Sequence, residues 1–256
     1  MHYSEFAPSP PLADCVKCFW ILEAEPGLPI QTIYPDGCAE IVFQYGDHFL
    51  RQPRSVFAGQ IYKNLKIVPS GRTGTLGVRF HPDGAARFFK QPQSEFTGRL
   101  YSLDEIWSAA GRSLEQRVLE ANSAAARVAI VEAALIGRRT DRHTSPVLSA
   151  ALMHIRRLPI REICATLAVS PRQLERLFQR EVGLTPKLYA RIRRFQQALQ
   201  QKNSTWCDIA YDCGYYDQAH LIHDFVEFTG QPPSACSATG SEMSVAFLQD
   251  SQALPV

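Results

Sequence analysis

Residues 170–178 read Ser-Pro-Arg-Gln-Leu-Glu-Arg-Leu-Phe, and residues 183–189 read Gly-Leu-Thr-Pro-Lys-Leu-Tyr. Ser170 is a helix cap, and Pro171 follows at the first helical position, where a missing N–H costs nothing. Leu174, Leu177 and Phe178 recur at helical spacing and predict an inward face. Arg172, Gln173, Glu175, Arg176, Gln179 and Arg180 are left outward. Gly183 ends the helix. Upstream, Ile160 to Leu167 predicts a short helix with Ile163 and Leu167 on its apolar face, and Ala168-Val169 makes a tight turn. The product is helix, turn, helix, an arrangement whose second helix can enter the major groove of a duplex.

The unit occurs twice. Ser170, Leu174, Phe178, Gly183 and Pro186 recur 47 positions later as Asp217, Leu221, Phe225, Gly230 and Pro233. Upstream of the caps the offset is 46, matching Ile163 to Ile209, Leu167 to Cys213 and Ala168 to Gly214, so the second turn holds one extra residue. Loops absorb such insertions more readily than packed helices. In the second copy Gly214 makes the turn, Asp217 caps, and Leu221, Ile222 and Phe225 face inward. Gln218, His220 and His223 are left exposed. A helix from Thr185 and Pro186 to Leu199 joins the copies, with Leu188, Ile192, Phe195 and Leu199 as its apolar stripe. Its roughly 15 residues rise a little over ~20 Å. With the flanking bodies added, that suits two recognition helices near the ~34 Å repeat of one duplex face. The plainer alternative is a helical bundle with polar outer faces. One helix-turn-helix pattern would leave that open, whereas two copies on a basic joining helix are far more specific.

Charge separates along the chain. Residues 1–137 carry 13 Lys/Arg against 14 Asp/Glu, residues 138–202 carry 14 against 4, and residues 203–256 carry none against 7. A concentrated basic block points to phosphate as a partner. Arg172 and Arg176, one turn apart, can donate to guanine acceptors, and Gln173 or Gln218 can pair with adenine.

These motifs resemble the AraC/XylS family. The resemblance rests on residues 170–178 and 183–189, on Arg193 to Leu199, and on Ile209-Ala210-Tyr211-Asp212-Cys213-Gly214-Tyr215-Tyr216-Asp217-Gln218. It implies a two-motif unit that reads double-stranded DNA, attached to a sensing or dimerising domain, with RNA polymerase a further partner of such regulators. It places base readers at Arg172, Glu175, Arg176, Gln218, Ala219, His220 and His223, to which the outward face of the first unit adds Gln173 and Arg180. Arg161, Arg193 and Arg194 are candidates for phosphate contact. The family usually carries arginine where His223 stands and basic residues where Val226 and Glu227 stand. Its closing aromatic-arginine pair is replaced by Cys236-Ser237. The second copy is therefore expected to read DNA weakly and in a pH-dependent way, since an ordinary histidine gains its charge below about pH 6.5.

Residues 15–100 carry short runs such as 18–22 (Cys-Phe-Trp-Ile-Leu), 40–45 (Glu-Ile-Val-Phe-Gln-Tyr) and 75–80 (Thr-Leu-Gly-Val-Arg-Phe), separated by Pro/Asp/Gly turns. This predicts an antiparallel sandwich or barrel. Tyr34 to Phe43 and Gly77 to Pro82 resemble the cupin-like domain that precedes this unit in part of the family. Tyr34, Asp36, Arg79 and His81 are candidates for an effector, although a charge at a strand end is equally well a solvated one. His48 and His81 stand 33 residues apart, without the clustered ligands of metal-binding cupins, so neither metal nor cofactor is expected. Cys15 and Cys18 have the spacing of a zinc or redox half-site, but seven scattered cysteines read as reduced thiols.

The fold expected is α+β, an N-terminal antiparallel β-sandwich or barrel followed by an all-α domain with two helix-turn-helix motifs. Residues 1–110 form the cupin-like sensor or dimerisation domain, which implies a possible homodimer. Residues 111–144 are a helical connector and exposed linker, 145–236 the DNA-binding domain, and 237–256 a tail in which Ser244 to Gln249 can form an edge strand. No stretch reaches the roughly 18 apolar residues of a membrane span, and residues 1–15 lack the order of a secretion signal. A cytoplasmic location without membrane contact follows. No phosphate loop, nucleophile elbow or carboxylate pair suggests an enzyme. The rival readings are an enzyme or small-molecule-binding module on the β-domain with vestigial helix-turn-helix units, and a protein-interaction adaptor.

Overall fold

The computed structural model describes residues 1–27, 29–47, 52–141, 144–201 and 204–238, with 237 and 238 by backbone alone. His48 and the Ser244–Gln249 segment lie outside the described residues. Among the described residues, eight strands occupy the first part: β1 (His2–Phe6), β2 (Val16–Ala24), β3 (Gln31–Ile33), β4 (Glu40–Gln44), β5 (Ser55–Ala58), β6 (Leu65–Ile67), β7 (Thr73–Phe80) and β8 (Leu100–Ser102). Six form one antiparallel sheet in the order β1-β2-β7-β4-β5-β8, and β3 pairs with β6 in a separate ribbon. In β2, Phe19 and Ile21 point to one face while Cys18, Trp20 and Leu22 point to the other, and these two sets enter different apolar clusters. This is the period-two signature of a strand. Here both faces are covered, so β7 is buried along its whole length. One face packs on helices, and the other looks toward the β3–β6 ribbon across a cavity.

Helices α1 (Leu103–Trp107), α2 (Ala109–Glu120) and α3 (Ala124–Ile136) supply Leu103, Trp107, Leu114, Val118, Val128, Val131 and Leu135 to the core that holds Phe19, Ile41 and Phe80. Much of the expected connector thus packs against the sheet. Gly84–Arg87 forms a 3-10 turn. The expected exposed linker after α3 is pinned to the first part. Arg139 pairs with Asp14 at 2.8 Å, Thr140 Oγ1 donates to Arg87 O at 2.9 Å, and Thr144 Oγ1 bonds Asp83. Its polar side chains are anchors as well as solvated groups. Cys15 and Cys18 are buried in different clusters, and burial pushes each thiol up to about 11, so the C-x2-C spacing makes no shared site among the described residues.

The second part is helical: α4 (Pro146–His154), α5 (Ile160–Thr166), α6 (Pro171–Glu181), α7 (Pro186–Gln200), α8 (Trp206–Asp212), α9 (Gln218–Thr229) and α10 (Pro233–Ala238). Its core gathers Leu148, Ile163, Leu174, Phe178, Ile192, Phe195, Leu221, Phe225 and Phe228. The expected stripe of α7 faces this core, with Ile192 and Phe195 buried and Leu188 and Leu199 packed half-buried against it. Tyr189 and Gln196 are buried as well, on another side. The reason is a second partner: Tyr34 of the first part enters this core, its ring edge-on to Phe195 at 6.1 Å.

Candidate nucleic-acid interface

In the first unit, Ser170 Oγ accepts from Gln173 N at 3.2 Å while Gln173 Oε1 accepts from Ser170 N at 2.8 Å. This capping box fixes where α6 begins. Ala168, at φ 51°, makes the turn before it. Leu174 and Phe178 are fully buried, which turns Arg172, Gln173, Glu175, Arg176, Gln179 and Arg180 to solvent. Four of these are already engaged, with Gln179 Nε2 donating to Glu175 Oε1 at 3.4 Å. The Gln173 carbonyl oxygen is spent on the cap, which leaves its amide nitrogen, and Arg180 pairs with the adjacent Glu181. Arg172 and Arg176 are exposed and make no side-chain ion pair among the described residues. Arg161 is likewise exposed, on α5.

In the second unit Gly214, at φ 73°, makes the turn, and Asp217 Oδ1 accepts from His220 N at 2.8 Å. Gln218, Ala219 and His223 are exposed as expected. His220 is not. It is half-buried, edge-on to the Tyr215 ring at 5.2 Å, with its Nδ1 accepting from Tyr216 N at 3.4 Å. A residue so close to the cap lies partly over the preceding turn, which the inward/outward pattern does not register. Tyr216 and Tyr211 stand almost fully exposed beside it.

The electrostatics hinge on Arg191, which the sequence reading did not single out. Its Nη2 bonds Asp224 Oδ1 at 2.7 Å and also Glu227, and its guanidinium lies 5.2 Å from the Phe228 ring centre. Asp224 is fully buried, a burial that a carboxylate tolerates only when paired. The hydrogen bond from Arg191 holds the Glu227 carboxyl below its ordinary value. His223 Nδ1 sits 3.8 Å from Asp224 and 3.9 Å from Glu227, a constellation with metal-ligand spacing whose carboxylates Arg191 already occupies. The four-residue spacing of His223 and Glu227 and the break in the basic face were the only sequence signals for it.

Two of the three phosphate candidates are placed otherwise than expected. Arg193 Nη1 donates to Asp36 O at 3.3 Å, at the seam between the two parts. Arg194 stacks over Tyr215 at 5.3 Å and reaches Gly214 O. Both are half-buried on α7 and each is engaged by a neighbour. Of the effector candidates, Asp36 and Arg79 line the cavity in the first part, while Tyr34 and His81 do not. Tyr34 belongs to the seam. Arg79 is no solvated strand-end charge: it is 2% exposed and paired with Glu40, because the ribbon covers its face of β7.

Two capped helix-turn-helix units, joined by a helix that packs into the core of both, define a DNA-binding domain. Residues 163–238 match the family described as a helix-turn-helix domain, and residues 4–102 match a domain of unknown function, DUF6597. The HTH-type transcriptional regulator GbdR of Pseudomonas aeruginosa is 35% identical over 75 residues, which cover 28% of this chain and 20% of that protein. The chain thus spans a fifth of the length of that relative. Crystal structures of ToxT from Vibrio cholerae align at 10% identity. An apo form covers 85% of this chain and 96% of that one at a TM-score of 0.42, and a form bound to an unsaturated fatty acid covers 84% and 92% at 0.43. The C-terminal half of the chain is a helix-turn-helix domain of the AraC type, preceded by an antiparallel-sheet domain.

Proposed function

We propose that the chain is a sequence-specific transcriptional regulator, with the first helix-turn-helix unit as its main reader of double-stranded DNA and the N-terminal domain as its control element. The observation that carries this reading is the α6 face. A helix fixed at its start by a capping box presents Arg172 and Arg176 to solvent, one turn apart and uncommitted among the described residues. Guanidinium groups so placed match the O6 and N7 acceptors of guanine. Arg161 supports the phosphate side of the contact, and Gln218, Ala219 and His223 offer a second, weaker face. A regulatory role, rather than catalysis, fits both parts. Dimerisation through the β-domain, contact with RNA polymerase and a cytoplasmic location belong to the same reading; no described helix is long and apolar enough to cross a membrane. A genome-wide map of bound sites tests it. Enrichment of one sequence motif supports the proposal, and recovery of none in wild type, or an unchanged map for an Arg172→Ala, Arg176→Ala double variant, overturns it.

A further inference from the structure

The interior of the β-domain has the makings of a ligand site, and its link to DNA rests on the regulatory reading above. A cavity of about 100 Å³ lies between the β3–β6 ribbon and the sheet face that carries Trp20, Val42, Thr75 and Arg79. Much of its wall is aliphatic, including Leu22, Ile33, Leu65 and Ile67. The buried polar atoms of lining residues without a hydrogen-bond partner among the described residues include three that can accept, Gln31 Oε1, Thr73 Oγ1 and Thr75 Oγ1, beside the donor Trp20 Nε1. Buried polar groups are normally satisfied, so three around one cavity call for an occupant that supplies the partners.

The charged end of the cavity selects the occupant. Arg79 donates from Nε and Nη2 to Glu40 Oε1 at 2.8 and 2.7 Å. Asp36 Oδ2 lies only at the margin of this pair, 3.5 Å from Arg79 Nε, while Asp36 Oδ1 accepts from Cys38 N at 2.8 Å. Among the lining residues, two carboxylates therefore face one guanidinium. Away from water, a ligand anion would meet both carboxylates, whereas a cation would complete the balance. Outside the cavity, the backbone of the turn that holds Asp36 is clamped on α7. Pro35 O accepts from Gln196 Nε2, Asp36 O accepts from Arg193 Nη1, and Gly37 packs so close to the Tyr189 ring that a Cβ there would come within 2.8 Å of it.

We propose that this cavity binds a small organic cation, an ammonium group on a compact apolar body, which draws Asp36 away from Arg79 and so shifts the 34–37 turn against α7. Because α7 joins the two helix-turn-helix units, occupancy alters the hold on DNA. The test uses the full chain, with n-butylammonium, tetramethylammonium, n-butanol and butyrate as probes in titration calorimetry and thermal melting. Saturable binding of an ammonium probe with a rise in Tm is expected, together with an affinity loss of about tenfold or more in Asp36→Asn. A preference for butyrate or butanol, or no ammonium binding at millimolar concentration, overturns the site. In gel retardation the bound ammonium should change DNA affinity several-fold in wild type and not in Gln196→Ala, which should still bind it. Ammonium binding that leaves wild-type DNA affinity unmoved overturns the link to α7. A chain that retains no DNA under any condition would instead refute the regulatory reading, and calorimetry would still decide the cavity.

Discussion

Arg172 lies four residues from Arg176 and Arg193 lies next to Arg194, on helices of the same basic block, yet the fold gives them different work. Arg172 is open to solvent on α6, and Arg193 is held against the backbone of Asp36. Replacing Arg172 or Arg176 by alanine should cost about 1–3 kcal/mol at one base step of the bound site and relax selectivity there. Competition binding with single-base variants of the site measures this; a uniform loss across all variants would mean that the residue meets phosphate alone. The Arg191–Asp224 pair makes a different demand. Arg191→Met strands a fully buried carboxylate, for which a loss of about 3–5 kcal/mol is expected. Denaturant midpoints read the change, and a loss near zero would mean that solvent reaches Asp224. Acid should act on the same cluster. Because Arg191 holds the Glu227 carboxyl below its ordinary value, the stabilisation is present above the usual carboxylate range and is lost as pH falls through the lowered value. Tm should therefore fall less steeply on acidification in Glu227→Gln than in wild type.

At the scale of elements, α7 decides the architecture. Its Phe195 ring meets Tyr34 of the first part and Phe225 and Phe228 of the second unit, so one side chain ties three segments together. Phe195→Ala should cost about 3–5 kcal/mol, and a single cooperative transition should persist if the two parts unfold together. Calorimetry that splits into two transitions would show that the seam holds little of the stability. The ends and inner face of α6 were legible in the sequence because capping and 3.6-residue spacing are local rules, and Ser170, Leu174 and Phe178 obey them. The second face of α7 was not legible. Burial of Tyr189 and Gln196 depends on a turn some 150 residues away, and no periodicity within the helix announces such a partner. The cavity left one sign that could have been read: Thr73, Thr75 and Arg79 alternate with Gly74, Leu76, Val78 and Phe80, a polar face on a strand buried on both sides. That pattern indicates an enclosed polar surface, whereas a lone Arg79 suggests a solvated strand end.

For the whole molecule, the first part touches the DNA-binding part at several places. Thr97 Oγ1 donates to Gly183 O at 2.6 Å at the end of α6, the 34–37 turn clamps α7, and Asn64 Nδ2 donates to Thr229 O at the end of α9. Both recognition helices are thus gripped at their C-terminal ends, leaving their N-terminal turns open. The two units should nevertheless respond unequally to salt. Residues 138–202 carry 14 cations, and residues 203–256 carry none. Each phosphate neutralised contributes about −0.9 to the slope of log affinity against log salt. Protection over the first half-site should therefore fade faster with salt than protection over the second. The acids of the second unit are not all free to repel DNA, as their count alone suggests. Arg191 answers Asp224 and Glu227, which leaves Asp208, Asp212 and Asp217 exposed, the last turned to its helix cap. His223, exposed at the outer edge of α9, is the position where one added cation should matter most. Footprinting of His223→Arg across a salt series should show stronger protection of the second half-site at low salt, converging on wild type as salt rises, with the first half-site unchanged. A gain that persists at high salt would indicate a direct base contact in place of phosphate attraction. No gain at any salt would mean that α9 serves packing or a protein partner and that α6 reads the duplex alone.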